Sequence, residues 1–118
     1  MSILINHYEK RTCAYDITIA DANGDAITIS AGDKIRLKIW SEDEATPKLD
    51  IVSGTPAAGG SNVTAANPTR FTLYQADAVW TPRVYSIEVS VVDAGDTFIR
   101  HADSGVFSLH KAPGGDTD

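Results

Sequence analysis

Alternation of apolar and polar residues with a period of two is the feature that most constrains the fold of this chain. The segment KIRLKIW (34–40) places aliphatic side chains on one face and cations on the other, and RVYSIEVSVV (83–92) repeats the alternation over a longer run. Successive side chains of a β-strand point to opposite faces, so this period is typical of strands with one buried face. No helical stripe of comparable length is present in the sequence, which therefore predicts an all-β fold.

Turn residues divide the chain into eight or nine short strand segments. Besides the two segments above, the predicted strands include AYDITIA (14–20), AITIS (26–30), LDIVS (49–53), TFIRHA (97–102) and VFSLH (106–110). A DSG turn is predicted between the last two, and QADAVWTP (75–82) contains the one helix-like fragment, of one or two turns at most. Short strands separated by turns at intervals of about 8 to 12 residues favour a sandwich or a barrel.

The segment ADANGDAITI has two interpretations. Asp21, Asn23 and Asp25 alternate as the ligands of a calcium loop do. An EF-hand loop that starts at Asp21 would need Gly at its sixth position and Glu at its twelfth, where this chain has Ala26 and Gly32. An Asn-Gly dipeptide between apolar runs is a strong hairpin signal, because both residues tolerate positive φ. A turn is therefore predicted here.

One stretch distinguishes between the sandwich types. Leu73, then Asp77, then Tyr85 at the start of a long strand follow the order of residues at the E–F corner of an immunoglobulin-like sandwich, where a tyrosine hydroxyl binds upstream backbone. The spacing from Asp77 to Tyr85 is wider here, and the cysteine–tryptophan–cysteine set of antibody domains is absent. We expect an immunoglobulin-like antiparallel β-sandwich of seven to nine strands, with a jelly roll as the second choice.

The 118 residues are enough for one domain with its own core. We expect residues 14–111 to form this domain. Residues 1–13 would be an N-terminal arm or an edge strand, and the breaker-rich residues 112–118 a flexible tail. An arm would add a strand to a neighbouring subunit.

Charge restricts the partners. The formal net charge is −6 and the sequence pI is about 4.8, with the basic residues scattered along the chain. An acidic surface repels phosphate backbones and anionic lipids, so we expect neither nucleic acid nor a membrane as a partner. Cys13 is the single cysteine, and the N-terminus lacks the apolar run of a secretory signal. The expected location is the cytoplasm of the cell that makes the protein, or a virion assembled there.

No catalytic signature is present, so we expect a non-enzymatic protein without a cofactor. The weak candidates for a metal site are Asp96, His101 and Asp103, since His101 and Asp103 lie one pleat apart on a strand face. Turns recruit Asp and Gly for backbone reasons of their own, which favours a structural role. The carboxylates of Glu42, Asp43 and Glu44 stand consecutively in a loop, where solvation is the usual state.

Aromatic residues offer a different kind of site. Trp40, Trp80, Tyr8 and Tyr74 are the candidates for contacts with a ligand or a partner. Tryptophan and tyrosine present a flat apolar face together with a polar group, and both serve at sugar-binding surfaces and at protein interfaces. Partial burial of both tryptophans at strand ends is the competing interpretation.

Three stretches carry a family resemblance: PKLDIVSGTPAAGGSNV, LYQADAVWTPRVYSIEVSVVDAGD and IRHADSGVFSLHKAPGG. The chain resembles small immunoglobulin-like proteins encoded among the structural genes of tailed bacteriophages and prophages, in which a Y-x-x-E-V-x-V-x-D strand precedes a turn and a strand with a GG tail. The matching residues are Tyr85, Glu88, Val89, Val91 and Asp93, followed by Gly105, Phe107, Gly114 and Gly115. The stretch AGDKIRLKIW followed by LDI is also similar to the N-terminal domain of phage baseplate upper proteins.

This resemblance implies a virion structural or accessory protein of the tail, baseplate, neck or capsid surface, with no catalytic residues. Its partners would be other virion proteins or copies of itself, joined through strand edges and loops. The alternative is a carbohydrate-binding β-sandwich that uses the exposed aromatics. A metal-dependent enzyme built on Asp96, His101 and Asp103 ranks third.

Overall fold

The computed structural model describes residues 3–93 and 99–111. Eight strands and no helix are present in these residues, within the seven to nine strands predicted. No described segment forms a helix able to cross a membrane. The strands are β1 (Ile3–Tyr8), β2 (Cys13–Ile17), β3 (Lys34–Trp40), β4 (Leu49–Val52), β5 (Asn62–Val63), β6 (Thr69–Leu73), β7 (Val84–Val92) and β8 (Ile99–His110).

The strands form two sheets that pack as a sandwich. The larger sheet has the order β1-β8-β7-β3-β4, and the smaller has the order β2-β6-β5. All pairings but one are antiparallel; β1 runs parallel to β8, with Ile3 opposite Gly105 and Tyr8 opposite His110. The predicted antiparallel sandwich is therefore found in the described strand pairs except β1–β8. A parallel pair cannot be joined by a hairpin, and here almost the whole chain separates the two strands.

The core lies between the sheets and follows the predicted alternation. On β3, Ile35, Leu37 and Ile39 are fully buried, and β7 contributes Ile87 and Val89. From the smaller sheet and the remaining strands come Ile17, Val63, Phe71, Leu73, Phe107 and Leu109. Each fully buried aliphatic side chain of this kind contributes about 1.5–3 kcal/mol. The period of two has thus placed the predicted faces correctly.

The N-terminal segment occupies an edge. The side chains of Ile3 and Ile5 are buried in the core, while that of Leu4 between them is exposed. The chain then turns at Lys10, whose φ of 66° lies in the left-handed region that non-glycine residues seldom adopt. Within the described residues, the predicted arm or edge strand is thus paired with β8 of its own chain. Residues 112–118, the predicted tail, lie outside the described residues.

Strand β8 corrects a turn prediction. The DSG sequence at 103–105 lies in the middle of a continuous strand of 12 residues, so IRHA (99–102) and VFSLH (106–110) belong to one strand. The first two residues of the predicted strand TFIRHA lie outside the described residues. Gly105 has a different reason to be glycine: a Cβ at this position would overlap the backbone of Ile3. The missing side chain gives β1 the space to enter the sheet.

The second wrong strand prediction is AITIS (26–30), which forms no ladder beyond an isolated bridge between Ala20 and Ala26. The side chain of Asn67 forms hydrogen bonds with backbone groups of this segment and of the end of the preceding one. Its Nδ2 donates to the carbonyl oxygens of Ile19 (2.8 Å) and Ile27 (2.7 Å), and its Oδ1 accepts from the Ile19 N–H (2.9 Å). One amide side chain thus replaces part of a ladder.

The ADANGD segment is a turn, as predicted. Gly24 has a φ of 87° and donates its N–H to the carbonyl of Asp21 at 3.0 Å. The carboxylate of Asp21 accepts from the N–H groups of Asn23 (2.9 Å) and Asp25 (3.0 Å). An Asp side chain that binds the backbone two residues on is common in turns, so turn chemistry explains the acidic alternation.

The predicted helix-like fragment at 75–82 is a turn rather than a helix. Asp77 there accepts hydrogen bonds from the N–H groups of Gly59 (2.8 Å) and Ser61 (2.9 Å). Tyr85 donates its hydroxyl to the carbonyl of Thr81 at 2.6 Å. These contacts tie the connection between β6 and β7 to the rest of the sandwich.

Candidate functional site

The outer face of the five-stranded sheet carries an exposed apolar patch, formed by Leu4 on β1, Val106 on β8 and Val84 on β7. Leu4 is 70% exposed, Val84 63% and Val106 41%. Leu4 and Val106 are register partners. Ser86 is the register partner of Val106 on β7, so Val84, two residues before Ser86, lies diagonally across from Val106 on the same face. Neighbouring apolar side chains on an open sheet face are a common feature of protein interaction sites.

Tyr8 and His110 extend this face toward the ends of β1 and β8. They are register partners, and their ring centroids lie 5.1 Å apart. His110 Nε2 lies 3.0 Å from Oδ1 of Asn6, and the guanidinium of Arg11 lies 5.9 Å from the centre of the Tyr8 ring. Tyr8 is 42% exposed, so this candidate contact residue is accessible beside the apolar patch.

The other half of the outer face is charged. Lys34, Arg36 and Lys38 form the predicted row of cations on β3. Arg36 makes a bidentate ion pair with Asp50 of β4, with nitrogen–oxygen distances of 2.9 and 2.8 Å. Hydrogen bonding from Arg36 holds the pKa of Asp50 below its usual value. Lys38 lies opposite Glu88 of β7.

A shallow pocket opens at the end of this charged half, where the loop after β3 folds against the sheet. We call it the Trp40 pocket. Its volume is about 330 Å³, and its walls are formed by Lys38, Trp40, Glu44, Ala45, Pro47 and Glu88. Glu44 is paired with Lys48 at 3.0 Å. The half-buried indole and Pro47 supply apolar surface, and the strand residues supply charge.

Polar groups in the Trp40 pocket have unused hydrogen-bonding capacity. Within the described residues, the side chains of Lys38, Trp40 and Glu88 make no hydrogen bond or ion pair. Lys38 and Glu88 are cross-strand neighbours, yet their charged groups do not meet. The pocket therefore combines an aromatic side chain, an ammonium, a carboxylate and an indole N–H that are all available to a ligand.

The remaining aromatic candidates lie elsewhere. Trp80 packs edge-on against Tyr85 and Phe107, with centroid distances of 5.7 and 5.9 Å, and belongs to the margin of the core. Tyr74 follows β6 and is 38% exposed beside Gly60. Trp40 and Tyr8 lie on the outer face of the larger sheet, whereas Trp80 and Tyr74 do not share a surface with them.

His101 and Asp103, two of the metal candidates, bind the backbone of Ala20. Asp103 Oδ2 accepts the Ala20 N–H at 2.8 Å, and His101 Nε2 lies 2.7 Å from the Ala20 carbonyl oxygen, to which it donates. Their own closest approach is 3.5 Å. Asp96 lies outside the described residues. Within residues 3–93 and 99–111, no three His, Cys, Asp or Glu side chains are close enough to hold a metal ion.

The acidic loop after β3 is largely paired. Asp43 forms a hydrogen bond with Ser41 and an ion pair with Arg83 at 3.4 Å. The Ser41 hydroxyl and then the Arg83 guanidinium hold the pKa of Asp43 below its usual value. A carboxyl that acts as a general acid near neutral pH needs a raised pKa, so the environment of Asp43 works against that role.

Sequence reasoning missed a buried polar cluster at β1 and β2. His7 is fully buried, with Nδ1 at 2.6 Å from the Tyr15 hydroxyl and Nε2 at 3.1 Å from the Arg11 carbonyl oxygen. Because a carbonyl only accepts, Nε2 carries a proton, and Tyr15 donates to Nδ1 in the neutral ring. Burial, and then the proximity of Cys13, raise the pKa of Tyr15. The inward position of His7 in the alternation ILINHY was the available signal.

Comparisons with known proteins do not assign this site. A scan against protein-family models, a search of curated proteins and a search of solved structures each found no match to the chain.

Proposed function

We propose that the sandwich is immunoglobulin-like. In that fold one sheet contains strands C, F and G, extended by C′ in variable-type domains, and the other contains B, E and D. The order β4-β3-β7-β8 corresponds to C′-C-F-G, and β2-β6-β5 corresponds to B-E-D. The 2.6 Å hydrogen bond from Tyr85 to Thr81 supports the assignment, since a tyrosine at the start of strand F binds upstream backbone in the same way.

We infer that this domain is a non-enzymatic structural or accessory module of a phage particle, acting through protein–protein contacts. The proposal that the protein is part of a phage particle rests on its resemblance to phage-encoded immunoglobulin-like proteins. The residues that carry this resemblance in strand β7 and just after it are Tyr85, Glu88, Val89, Val91 and Asp93. Its place would be in the virion, or in the host cytoplasm before assembly. Partners would be other virion proteins or further copies of the chain.

The observation that carries the contact function is the apolar patch of Leu4, Val84 and Val106. Its residues come from three adjacent strands and lie beside β1, which is an edge strand of the larger sheet in the part of the chain that the structure describes. Burying such side chains against a partner removes apolar area from water, and an edge strand offers unpaired backbone groups to the same partner. Charged residues in the other half of the face would set the orientation of the partner.

Incorporation into particles tests this proposal. Virions of the encoding phage or induced prophage are purified, and the protein is quantified by mass spectrometry for the wild type and for Val106→Glu. We expect the wild type to be present in particles and Val106→Glu to be depleted by about tenfold or more, because a carboxylate in a buried contact is strongly unfavourable.

Val79→Glu is the matched control. Val79 is 80% exposed but lies in the connection between β6 and β7, away from the patch. It should be incorporated like the wild type. Absence of the wild-type protein from particles would refute the phage assignment, and normal incorporation of Val106→Glu would refute the role of the patch.

A further inference from the structure

We propose that the Trp40 pocket binds a saccharide, with a pyranose ring stacked on the indole of Trp40 and its hydroxyl groups bound by Lys38 and Glu88. This site shares no residue with the apolar patch, although it lies next to it on the same face with Ser86 between them, and it gives the domain a second, small-ligand function. Of the two tryptophans, Trp40 is the one proposed to bind the sugar, because Trp80 packs against Tyr85 and Phe107 at the margin of the core.

The first argument is the combination of surfaces. A sugar ring has an apolar face of C–H groups and a rim of hydroxyls that both donate and accept. The pocket supplies the matching groups: the Trp40 ring for the face, the Glu88 carboxylate as an acceptor, and the Lys38 ammonium as a donor. Its volume of about 330 Å³ lies at the small end of the range for ligand pockets.

The second argument is that the side chains of Lys38 and Glu88 make no hydrogen bond or ion pair within the described residues, although the charge of Lys38 acts at longer range on Asp50, its register partner on β4. Neighbouring charges on the same sheet and loop are paired, as in Arg36–Asp50 and Lys48–Glu44. In contrast, Lys38 and Glu88 make no ion pair within the described residues although they face each other in register. A hydroxyl that accepts from the ammonium and donates to the carboxylate would bridge the two groups without moving either strand.

The third argument is the balance of charge, which determines the ligand class. Lys38 and Glu88 in the lining have opposite charges, and the charge of Glu44 in the lining is offset by its ion pair with Lys48, so the four formal charges cancel. A strongly anionic ligand would meet the carboxylates, and a strongly cationic ligand would meet the ammonium groups. A neutral ligand rich in hydroxyls satisfies both signs at once, and neutral saccharides have this chemistry.

The test begins with a printed glycan array probed with the intact, labelled protein, followed by titration of a soluble form of the strongest hit by calorimetry. We expect saturable binding to at least one neutral glycan. Trp40→Ala should weaken the titrated affinity by about tenfold or more, because both the stacking surface and the indole N–H are removed. Glu88→Gln, which keeps size and shape, should weaken it by about threefold to tenfold.

Tyr74→Ala is the control for an exposed aromatic outside the pocket, and it should bind as the wild type does. Circular dichroism melting of each variant checks folding, and Glu88→Gln keeps the test decisive if Trp40→Ala unfolds. An array without a bound glycan would overturn the proposal, as would unchanged affinity in Glu88→Gln together with a folded Trp40→Ala. Binding of peptides but no glycans would also overturn it. None of these outcomes bears on incorporation into particles, so the two proposals fail independently.

Discussion

At the scale of single residues, a few polar side chains make connections that the strand pattern does not provide. Tyr85 and Asn67 are the clearest examples: each binds backbone carbonyls of a connecting segment rather than of a neighbouring strand. Buried backbone groups require a partner, and loops lack a ladder to supply one. Such residues are expected to be sensitive to the loss of a single polar atom.

Replacing Tyr85 by Phe removes one hydroxyl and leaves the ring in the core. The Thr81 carbonyl loses its 2.6 Å donor, so we expect the free energy of unfolding to fall by about 1–2 kcal/mol. Urea denaturation followed by tryptophan fluorescence measures this change. Tyr74→Phe, at an exposed tyrosine, should change it by less than about 0.5 kcal/mol; equal effects of the two variants would contradict the corner role.

Replacing Asn67 by Ala should be more damaging. Three hydrogen bonds to Ile19 and Ile27 are lost together, and the predicted cost is about 2–4 kcal/mol in the free energy of unfolding. The same denaturation experiment applies, with Asn23→Ala as the control because the Asn23 side chain is in an exposed turn. A loss below about 1 kcal/mol would show that water replaces the amide at this site.

At the scale of elements, the pairing of β1 with β8 requires a glycine in β8. Gly105 leaves room for the backbone of Ile3, and β1 pairs along its whole length with β8. The described residues show no other strand paired with β1. The N-terminal strand is therefore an element of this sandwich that a single substitution at Gly105 can detach.

Gly105→Ala is predicted to displace the start of β1 while leaving the β7–β8 pairing intact. Because Ile3 and Ile5 each contribute about 1.5–3 kcal/mol through burial, stability should fall by a few kcal/mol. Hydrogen exchange with mass spectrometry should show lost protection in residues 3–8 and retained protection in β7. Ser104→Ala, on the exposed side of the same strand, is the control; retained protection of residues 3–8 in Gly105→Ala would disprove the steric argument.

At the scale of the whole molecule, acidic side chains stabilise both strand pairs and a connection of this acidic protein. Hydrogen bonding from Arg36 to Asp50 and from Arg70 to Asp16 lowers the pKa of each carboxyl. At Asp77 burial acts to raise the pKa, but hydrogen bonds from Ser61 and Gly59 outweigh it and the pKa is lowered. The net charge of −6 therefore coexists with carboxylates that the fold holds in their ionised form.

The pH dependence of stability follows from these lowered pKa values. A carboxyl whose pKa is lower in the folded than in the unfolded state stabilises the fold above its unfolded pKa, about 3.9 for Asp. That contribution is lost as the pH falls through the folded pKa, so we expect a decline in stability below about pH 4. Thermal unfolding between about pH 7 and pH 3 measures it.

Asp77→Asn should be less stable than the wild type at neutral pH and should lose less stability over the acid range, because one depressed carboxyl is gone. Asp25→Asn, whose side chain makes no hydrogen bond within the described residues, is the control and should follow the wild-type curve. If Asp77→Asn lost as much stability on acidification as the wild type does, Asp77 would be excluded as a source of the decline.

The sequence by itself determined most of the strands and the faces they bury, because a period of two and turn residues such as Asp21 and Gly24 act locally; it failed at AITIS (26–30) and at the turn it placed inside β8. It also identified the order of residues around Tyr85 and placed Trp40 among the contact candidates. Only the tertiary structure decided the parallel pairing of β1 with β8, the continuity of β8 through Gly105, and the burial of His7. Only the fold brought Lys38, Trp40 and Glu88 to one pocket. Strand pairing joins residues distant in sequence, and local patterns carry no information about which strands will meet.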